Sequence, residues 1–324
     1  MVTSMGDSFF EVDTLDDLMR VVIEAALQDG TAVVASKGPM RELTGVLIHL
    51  SNPRARLSRT ESRGKPFSCL GELLWYLSGQ NSIGPIAYYL PYYKEFEENG
   101  MIHGGYGPRL FGEGEKNQIK GVIDLLRRKS SSRQGVVQIF RATDLLGNHK
   151  NIPCTCVLQF MVRCGKLSTI TYMRSNDIYL GLPHDIFCFT MLQELVARSL
   201  DVDIGTYKHM VGSLHLYNKD SERAEEFLGE GWQSTTKAMA PMPDGDPWQY
   251  VDRILMIESD LRGGGTVDEN RELAMGPYWG DLTRLLMIFR CIKQSAIEDI
   301  ASIRSRMKST VFDTFIDEKI RPGQ

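Results

Sequence analysis

The alternation of residue types between 155 and 217 constrains the fold more than any other feature of the chain. Segments 155–163, 167–174 and 206–217 carry the β-branched and aromatic residues of strands. The apolar run at 185–200, between the last two, has the length and composition of a helix. An α+β chain is expected, and the rest of the sequence agrees. Leu15, Leu18, Val21, Val22, Ala25 and Ala26 recur at helical spacing within 14–29. Residues 45–50 read as a strand. Pro66 opens a helix over 66–78 whose apolar positions are Phe67, Leu70, Leu73, Leu74 and Leu77. A Gly- and Tyr-rich loop region at 79–113 leads to a basic helix at 118–129 and a strand at 135–141. Residues 225–275, richer in Gly, Pro and charge, read as a variable insertion before a terminal helix at about 280–308. There is no internal repeat, low-complexity tract or clean linker.

Composition excludes several classes. With 324 residues, 42% hydrophobic and 24% charged, the chain can bury a large core and is not a disordered sequence. Six cysteines without regular close pairing argue for a reducing compartment rather than a disulfide scaffold. Cys154-x-Cys156 lacks the second cysteine pair or histidine cluster of a zinc site, so no metal is expected. No apolar run approaches the roughly 20 residues of a membrane span, and the first residues are acidic where a signal peptide would be basic. A soluble, cytoplasmic protein is the expectation. A net charge of −4 argues against a nucleic-acid surface, so a phosphate ligand would be met by local arginines, and a free nucleotide fits better than a polymer.

The chemistry-bearing residues cluster in the same stretch that sets the fold. Pro153-Cys154, Arg174-Ser175, the run Gly181 to Asp185, and His215-Leu216-Tyr217 fall within 65 residues. This set, with its spacing, resembles the core of thymidylate synthase: a cysteine after proline, then Arg-Ser-x-Asp-x-x-Leu-Gly-x-Pro, then His-x-Tyr. Upstream, Gly71-Glu72-Leu73-Leu74-Trp75-Tyr76-Leu77 resembles the family's Glu-Leu-Leu-Trp-Phe-Leu helix. The resemblance covers roughly residues 14–220 and fades beyond. It implies a thymidylate synthase-like α/β fold, a mixed sheet flanked by helices, as one domain over 1–324 with a divergent, helical C-terminal appendage at about 221–324. It also implies a homodimer with shared active sites.

The resemblance also implies residue roles. Cys154 is the nucleophile that adds to carbon 6 of the pyrimidine, making carbon 5 able to attack the methylene group of methylenetetrahydrofolate, the co-substrate. A thiolate is the reactive form, and Arg174 is the neighbour expected to favour it. Glu72, one acid among apolar neighbours, is expected to have a raised pKa suited to proton transfer, and Tyr106-Gly107 resembles the family's Tyr-Gly motif near the nucleophile. Arg174, Arg41 and Arg133 form the phosphate clamp, with Ser175 near the phosphate; Arg133 comes from the neighbouring subunit, and Gln134 replaces the second arginine of the family's pair. A guanidinium suits this task because its planar fork pairs two oxygens. His215 and Tyr217 contact the sugar hydroxyl, and Asp177 meets the folate pterin.

One departure bears on the substrate. Where the family has Pro-Phe-Asn and reads uracil with the asparagine, this chain has Pro183-His184-Asp185. Asparagine offers a donor and an acceptor to match uracil's position 4 carbonyl and N3–H. Cytosine presents an amino donor at position 4, which a carboxylate accepts, as it does a proton on ring nitrogen 3. The same substitution marks the deoxycytidylate hydroxymethylases of phages and the cytidylate hydroxymethylases of nucleoside-antibiotic pathways. A competing reading makes Asp185 the N-terminal cap of the following helix.

Two absences bear on the reaction. Tyr88 to Phe96, in place of the family's tryptophan-rich segment, contain no tryptophan, so water could capture the exocyclic methylene and give hydroxymethyl and tetrahydrofolate. Lys319 to Gln324 also lack the family's apolar closing tail, and Thr155 replaces the histidine that often follows the cysteine. The sequence is therefore expected to encode a 5-hydroxymethylase of CMP or dCMP, a transferase of pyrimidine nucleoside monophosphates. The alternatives are a thymidylate synthase methylating dUMP and a catalytically silent nucleotide-binding protein.

Overall fold

A computed structural model describes residues 8–35, 37–58, 65–112, 117–231 and 238–320. Its strands are β1 (Phe9–Val12), β2 (Thr31–Ala35), β3 (Gly38–Leu50), β4 (Val136–Gln138), β5 (Thr155–Arg163), β6 (Lys166–Asp177) and β7 (Asp203–Tyr217). They form one mixed sheet in the order β1-β3-β7-β6-β5-β4, with β2 hairpinned onto the first half of β3. The β6–β7 contact is parallel and β3–β7, β5–β6 and β4–β5 are antiparallel. Parallel neighbours need a crossover, and the helix between β6 and β7 supplies it.

The helices are α1 (Leu15–Asp29), α2 (Pro66–Leu77), α3 (Ile83–Tyr89), α4 (Gly107–Leu110), α5 (Gln118–Arg128), α6 (Leu182–Ser199), α7 (Ser221–Gly229), α8 (Trp248–Arg262), α9 (Glu269–Leu273), α10 (Gly276–Gln294), α11 (Ile297–Ser305) and α12 (Asp313–Ile320). Thr14 caps α1 by accepting the Asp17 N–H at 3.1 Å. α6 packs on β6 and β7, α1 on β3, and α2 on α6; α10 and α8 in turn pack on α2. Side chains alternate along a strand, so each strand splits between the two faces. Thr169, Thr171, Met173, Tyr207, His209 and Val211 are buried, whereas Tyr172 and Met210 on the other face are 41% and 42% exposed.

Several elements differ from the sequence expectations in extent. α6 begins at Leu182 rather than 185, because Pro183 sits in the first turn, where its missing N–H has no helical partner to lose. β3 extends back to Gly38; its polar start, paired to β2, has no apolar alternation to reveal it. The 135–141 strand shortens to Val136–Gln138. The terminal helix divides into α10 and α11 at Ser295, whose φ of 57° is left-handed. The region 225–275 contains α8 and α9, and 79–113 contains α3, α4 and a 3-10 turn at Pro91–Phe96. Of the C-terminal segment, residues 321–324 lie outside the described residues.

Two features hold α2 and α6 in place. At Gly71 a Cβ would sit 2.2 Å from the Tyr89 ring, so only glycine admits that contact. Glu194 on α6 is fully buried and accepts from Arg54 Nε at 2.7 Å, Arg56 Nη2 at 2.6 Å and the Met242 N–H at 3.0 Å. Burial by itself raises the Glu194 pKa, but the two guanidiniums outweigh it and the net shift is downward. A depressed carboxyl pKa gives stability that is present above the ordinary glutamate value and lost as pH falls through the folded value. Glu194→Ala, which strands Arg56 without its counter-ion, is expected to destabilise the fold by about 3–5 kcal/mol in urea melts at neutral pH. A change below about 1 kcal/mol would mean that water replaces the pair.

Candidate active site

Cys154 immediately precedes β5, and Arg174 on β6 fixes its position. The backbone N–H of Arg174 donates to the Cys154 carbonyl at 2.9 Å, its Nε to the Pro153 carbonyl at 3.0 Å and its Nη2 to the Ile152 carbonyl at 3.0 Å. Three consecutive carbonyls are thus held by one residue. The thiol is partly exposed. Burial pushes its pKa up, Arg174 and Lys37 pull it down, and the charge of Asp185 pushes it up again; the net shift is upward. Arg174 favours the thiolate as expected, but it does not overcome desolvation in the free protein.

Asp185 lies in the first turn of α6 without capping it. Gly181 is the N-cap, and the Asp185 carboxyl instead accepts Asn176 Nδ2 at 2.8 Å. This disposes of the capping alternative. Burial, followed by the charge of Glu72, raises its pKa well above the ordinary aspartate value, with the Asn176 hydrogen bond opposing. These surroundings favour its neutral form.

Glu72, buried on α2, accepts two phenols through Oε1: Tyr76 at 2.7 Å and Tyr93 at 2.8 Å. Burial raises its pKa and the two hydroxyls partly offset this. Tyr106 accepts the N–H and the hydroxyl of Thr155 at 3.2 and 3.0 Å. The residue that stands in place of the family's histidine therefore anchors Tyr106. The charges of Asp185 and Cys154 add to burial in raising the Tyr106 pKa. Asp177 Oδ1 accepts the N–H groups of Tyr179 and Leu180 at 2.8 and 2.9 Å, leaving Oδ2 for a ligand. Asp177 pairs with His215 across β6–β7, and Ser175 with Ser213. The His215 and Tyr217 rings lie 4.9 Å apart. The charges of Asp177 and Cys154, after burial, raise the Tyr217 pKa.

The structure thus brings together Cys154, Arg174, Asp185, Glu72, Tyr106, Asp177, Ser175, His215 and Tyr217. It does not bring in two of the clamp arginines. Arg41 pairs with Leu216, which points away from the His215 and Tyr217 side chains, and its Nη1 donates to the Gly30 carbonyl at 3.3 Å. Arg133 is exposed in the segment before β4, where its carbonyl accepts from Gln159 Nε2 at 2.8 Å.

Sequence reasoning missed four participants. Lys37, at the β2–β3 turn, is the cation whose field reaches Cys154, and its Nζ lies 4.6 Å from the Phe96 ring centre. The Lys37-Gly38 pair after β2 was the available signal. Tyr92 and Tyr93 fill the segment that lacks tryptophan. Tyr93 packs edge-on against Trp75 at 5.6 Å, and Tyr92, 48% exposed, feels the charges of Glu72, Asp185 and Asp177. Asn176, inside the Arg-Ser-x-Asp motif, had no local signal at all. Among the described residues no group of three or more His, Cys, Asp or Glu is placed to hold a metal, and no helix is long and apolar enough to cross a membrane.

The sequence profile of the thymidylate synthase family matches residues 58–240, more than half of the chain. The chain belongs to the thymidylate synthase family. The matched span runs from the residues before α2 to beyond α7, and so includes Glu72, Cys154, Arg174, Asp185 and Tyr217. The mixed sheet flanked by helices agrees with the fold of that family. Over 214 residues the chain is 28% identical to the deoxyuridylate hydroxymethyltransferase of Bacillus phage SP01, an alignment covering 61% of this chain and 56% of the relative. The chain therefore spans about half the length of the curated relative it matches.

Proposed function

We propose that this member of the thymidylate synthase family is a pyrimidine nucleotide 5-hydroxymethyltransferase acting on CMP or dCMP with methylenetetrahydrofolate as co-substrate. The observation that carries the reading is Asp185, whose half-buried carboxyl accepts Asn176 Nδ2 in the field of Cys154 and in surroundings that favour its neutral form, where the family presents an asparagine amide. A neutral carboxyl donates from one oxygen and accepts at the other, which suits cytosine's N3 acceptor and amino donor.

In this reading Cys154 Sγ bonds to carbon 6 of the base, and the electron pair of the 5,6 double bond moves to carbon 5, which bonds to the one-carbon unit of the co-substrate. Loss of the carbon 5 proton and release of tetrahydrofolate leave an exocyclic methylene. Water then adds its oxygen there, and departure of the Cys154 thiolate restores the double bond. Glu72 Oε1 is occupied by two phenols, which leaves Oε2 to orient that water and take its proton. The co-substrate's flat pterin fits the exposed Tyr92 ring, and Asp177 Oδ2 is the acceptor for its N–H groups.

The Lys37 ammonium supplies a phosphate contact that Arg41 does not. Lys37→Ala is expected to raise the KM for nucleotide about tenfold with kcat changed less than about threefold, the signature of lost uniform binding; an unchanged KM would remove Lys37 from the site. A homodimer, in which the partner subunit's Arg133 completes the clamp, is supported by the exposed Tyr172 and Met210 on one sheet face and by the exposure of Arg133. Residues 221–324 belong to the same domain in this reading, supported by the packing of α8 and α10 on α2.

A second reading, hydroxymethylation of a uridylate, is favoured by the name of the phage relative and by the symmetry of a neutral carboxyl, which pairs with uracil once its proton moves to the other oxygen. The deciding experiment incubates the protein with methylenetetrahydrofolate and CMP, dCMP, UMP or dUMP, followed by mass spectrometry. Addition of CH2O to CMP or dCMP supports the first reading and its addition to UMP or dUMP the second. Addition of CH2 to dUMP would show methylation, and no product from any of the four would leave nucleotide binding alone.

A further inference from the structure

Behind Asp185 lies a buried line of hydrogen bonds that the reaction as described does not use. Asn176 Nδ2 donates to Asp185 Oδ2 at 2.8 Å, Asn176 Oδ1 meets His209 Nε2 at 2.9 Å, and His209 Nδ1 meets the Tyr207 hydroxyl at 2.9 Å. Asn176 is 3% exposed, and His209 and Tyr207 are fully buried. Burial pushes the His209 pKa down to about 3, so its imidazole is neutral, with one N–H and one lone pair. The polarity of the line follows. The Asn176 oxygen faces His209, so Nε2 carries the proton, and the lone pair of Nδ1 accepts the Tyr207 O–H.

This polarity matters because a neutral carboxyl is ambiguous. With its proton on one oxygen it matches cytosine, and with the proton on the other it matches uracil. An N–H donated to Oδ2 favours that oxygen as the carbonyl and leaves the acid proton on Oδ1, because a carbonyl oxygen accepts better than a hydroxyl oxygen. Reversing the assignment would turn two donors toward each other, or require the amide and the imidazole to turn over together. In a dry interior an unmade hydrogen bond of this kind is costly.

We propose that Asn176, locked by His209 and Tyr207, is the positioning residue that sets which oxygen of Asp185 carries the proton and thereby gives the site its choice between cytosine and uracil. The inference rests on Asp185 reading the base, as proposed above. Asn176 does not touch the reacting atoms; it acts through Asp185. Asn176 on β6 and His209 on β7 lie 33 residues apart and are not register partners, Leu214 standing opposite Asn176 and Thr171 opposite His209, so the contact is made by their side chains.

The test compares kcat/KM for a cytidylate and its matching uridylate in wild type, Asn176→Leu and Tyr207→Phe. Asn176→Leu keeps the volume and removes the donor. The ratio of the two kcat/KM values is expected to fall at least tenfold toward unity. Tyr207→Phe frees the His209 tautomer and is expected to move the ratio about threefold the same way, a factor worth about 0.65 kcal/mol. General loosening of the site would lower both kcat/KM values together and leave the ratio fixed, and that outcome overturns the proposal. If Asn176→Leu does not fold, Tyr207→Phe decides by the same criterion. A wild type that prefers uridylates would sink the cytosine reading alone, since the change in ratio on substitution still judges Asn176. Were no nucleotide turned over, the ratio of CMP and UMP dissociation constants by calorimetry serves in its place.

Discussion

Cys154→Ala is expected to abolish nucleotide turnover, a loss on the order of 10⁴-fold or more in kcat, because the covalent route has no substitute once its nucleophile is gone. The geometry names this cysteine rather than its neighbour. Arg174 holds the carbonyls of residues 152, 153 and 154, so the Cys154 side chain is presented from a fixed backbone into the field of Arg174, Lys37 and Asp185. Cys156, two residues on, directs its sulfur at the Cys154 carbonyl at 3.9 Å, and neither Asp185 nor Lys37 figures among the groups that shift it. Cys156→Ala should keep turnover within about threefold of wild type, the size of effect expected for a residue outside the reacting set. Nucleotide binding by calorimetry should survive in both variants, since the phosphate and base contacts remain. Retention of more than a tenth of wild-type turnover by Cys154→Ala would overturn the covalent mechanism.

The second large effect concerns Asp185. Asp185→Asn in the Asn176→Leu background is expected to swing the ratio of kcat/KM for cytidylates over uridylates by about 10³-fold or more toward uridylates relative to Asn176→Leu alone, the scale reached when a hydrogen-bonding edge meets the wrong partner. With the Asn176 N–H no longer fixing which atom accepts, the amide is free to turn its nitrogen to the position 4 carbonyl and match uracil, and unlike a neutral carboxyl it cannot move its donor back. An unchanged ratio would show that base choice lies elsewhere.

A pH profile separates the roles further. Burial and the Glu72 charge raise the Asp185 pKa, so the neutral acid is the form present until pH rises through that shifted value. Ionisation then removes the donor that an unprotonated N3 requires, and kcat/KM for a cytidylate falls on the alkaline side. Asp185→Asn should lack that limb. A cytidylate profile with the same alkaline limb in both proteins would assign it to another group, such as the Cys154 thiol.

Much of this was legible in the residues. Helical spacing in 14–29 and 66–78 located α1 and α2 because each buries an apolar face against the core, and period 3.6 records that burial directly. Strands β5, β6 and β7 were visible for the parallel reason at period 2. The half of β3 that pairs with β2 was not, since Gly38 to Glu42 carry no apolar alternation although β7 pairs with the same stretch. Lys37 escaped notice beside Arg41 because residue type favours arginine for phosphate. Which cation faces the thiol depends on the β2–β3 turn and on the face that pairs with Leu216.

By itself the sequence determined the kinds of chemistry present and their order along the chain: a thiol after proline, an arginine on the next strand, and a carboxyl where the family has an amide. These are local facts, written in residue type and spacing. Only the tertiary structure decided the state of those groups. The upward shift of the Asp185 pKa follows from desolvation by the surrounding packing and from the charge of Glu72. The Tyr207–His209–Asn176–Asp185 line is assembled from side chains of β7, β6 and α6. Desolvation and hydrogen-bond polarity are properties of surroundings assembled from distant segments, so no local pattern encodes them.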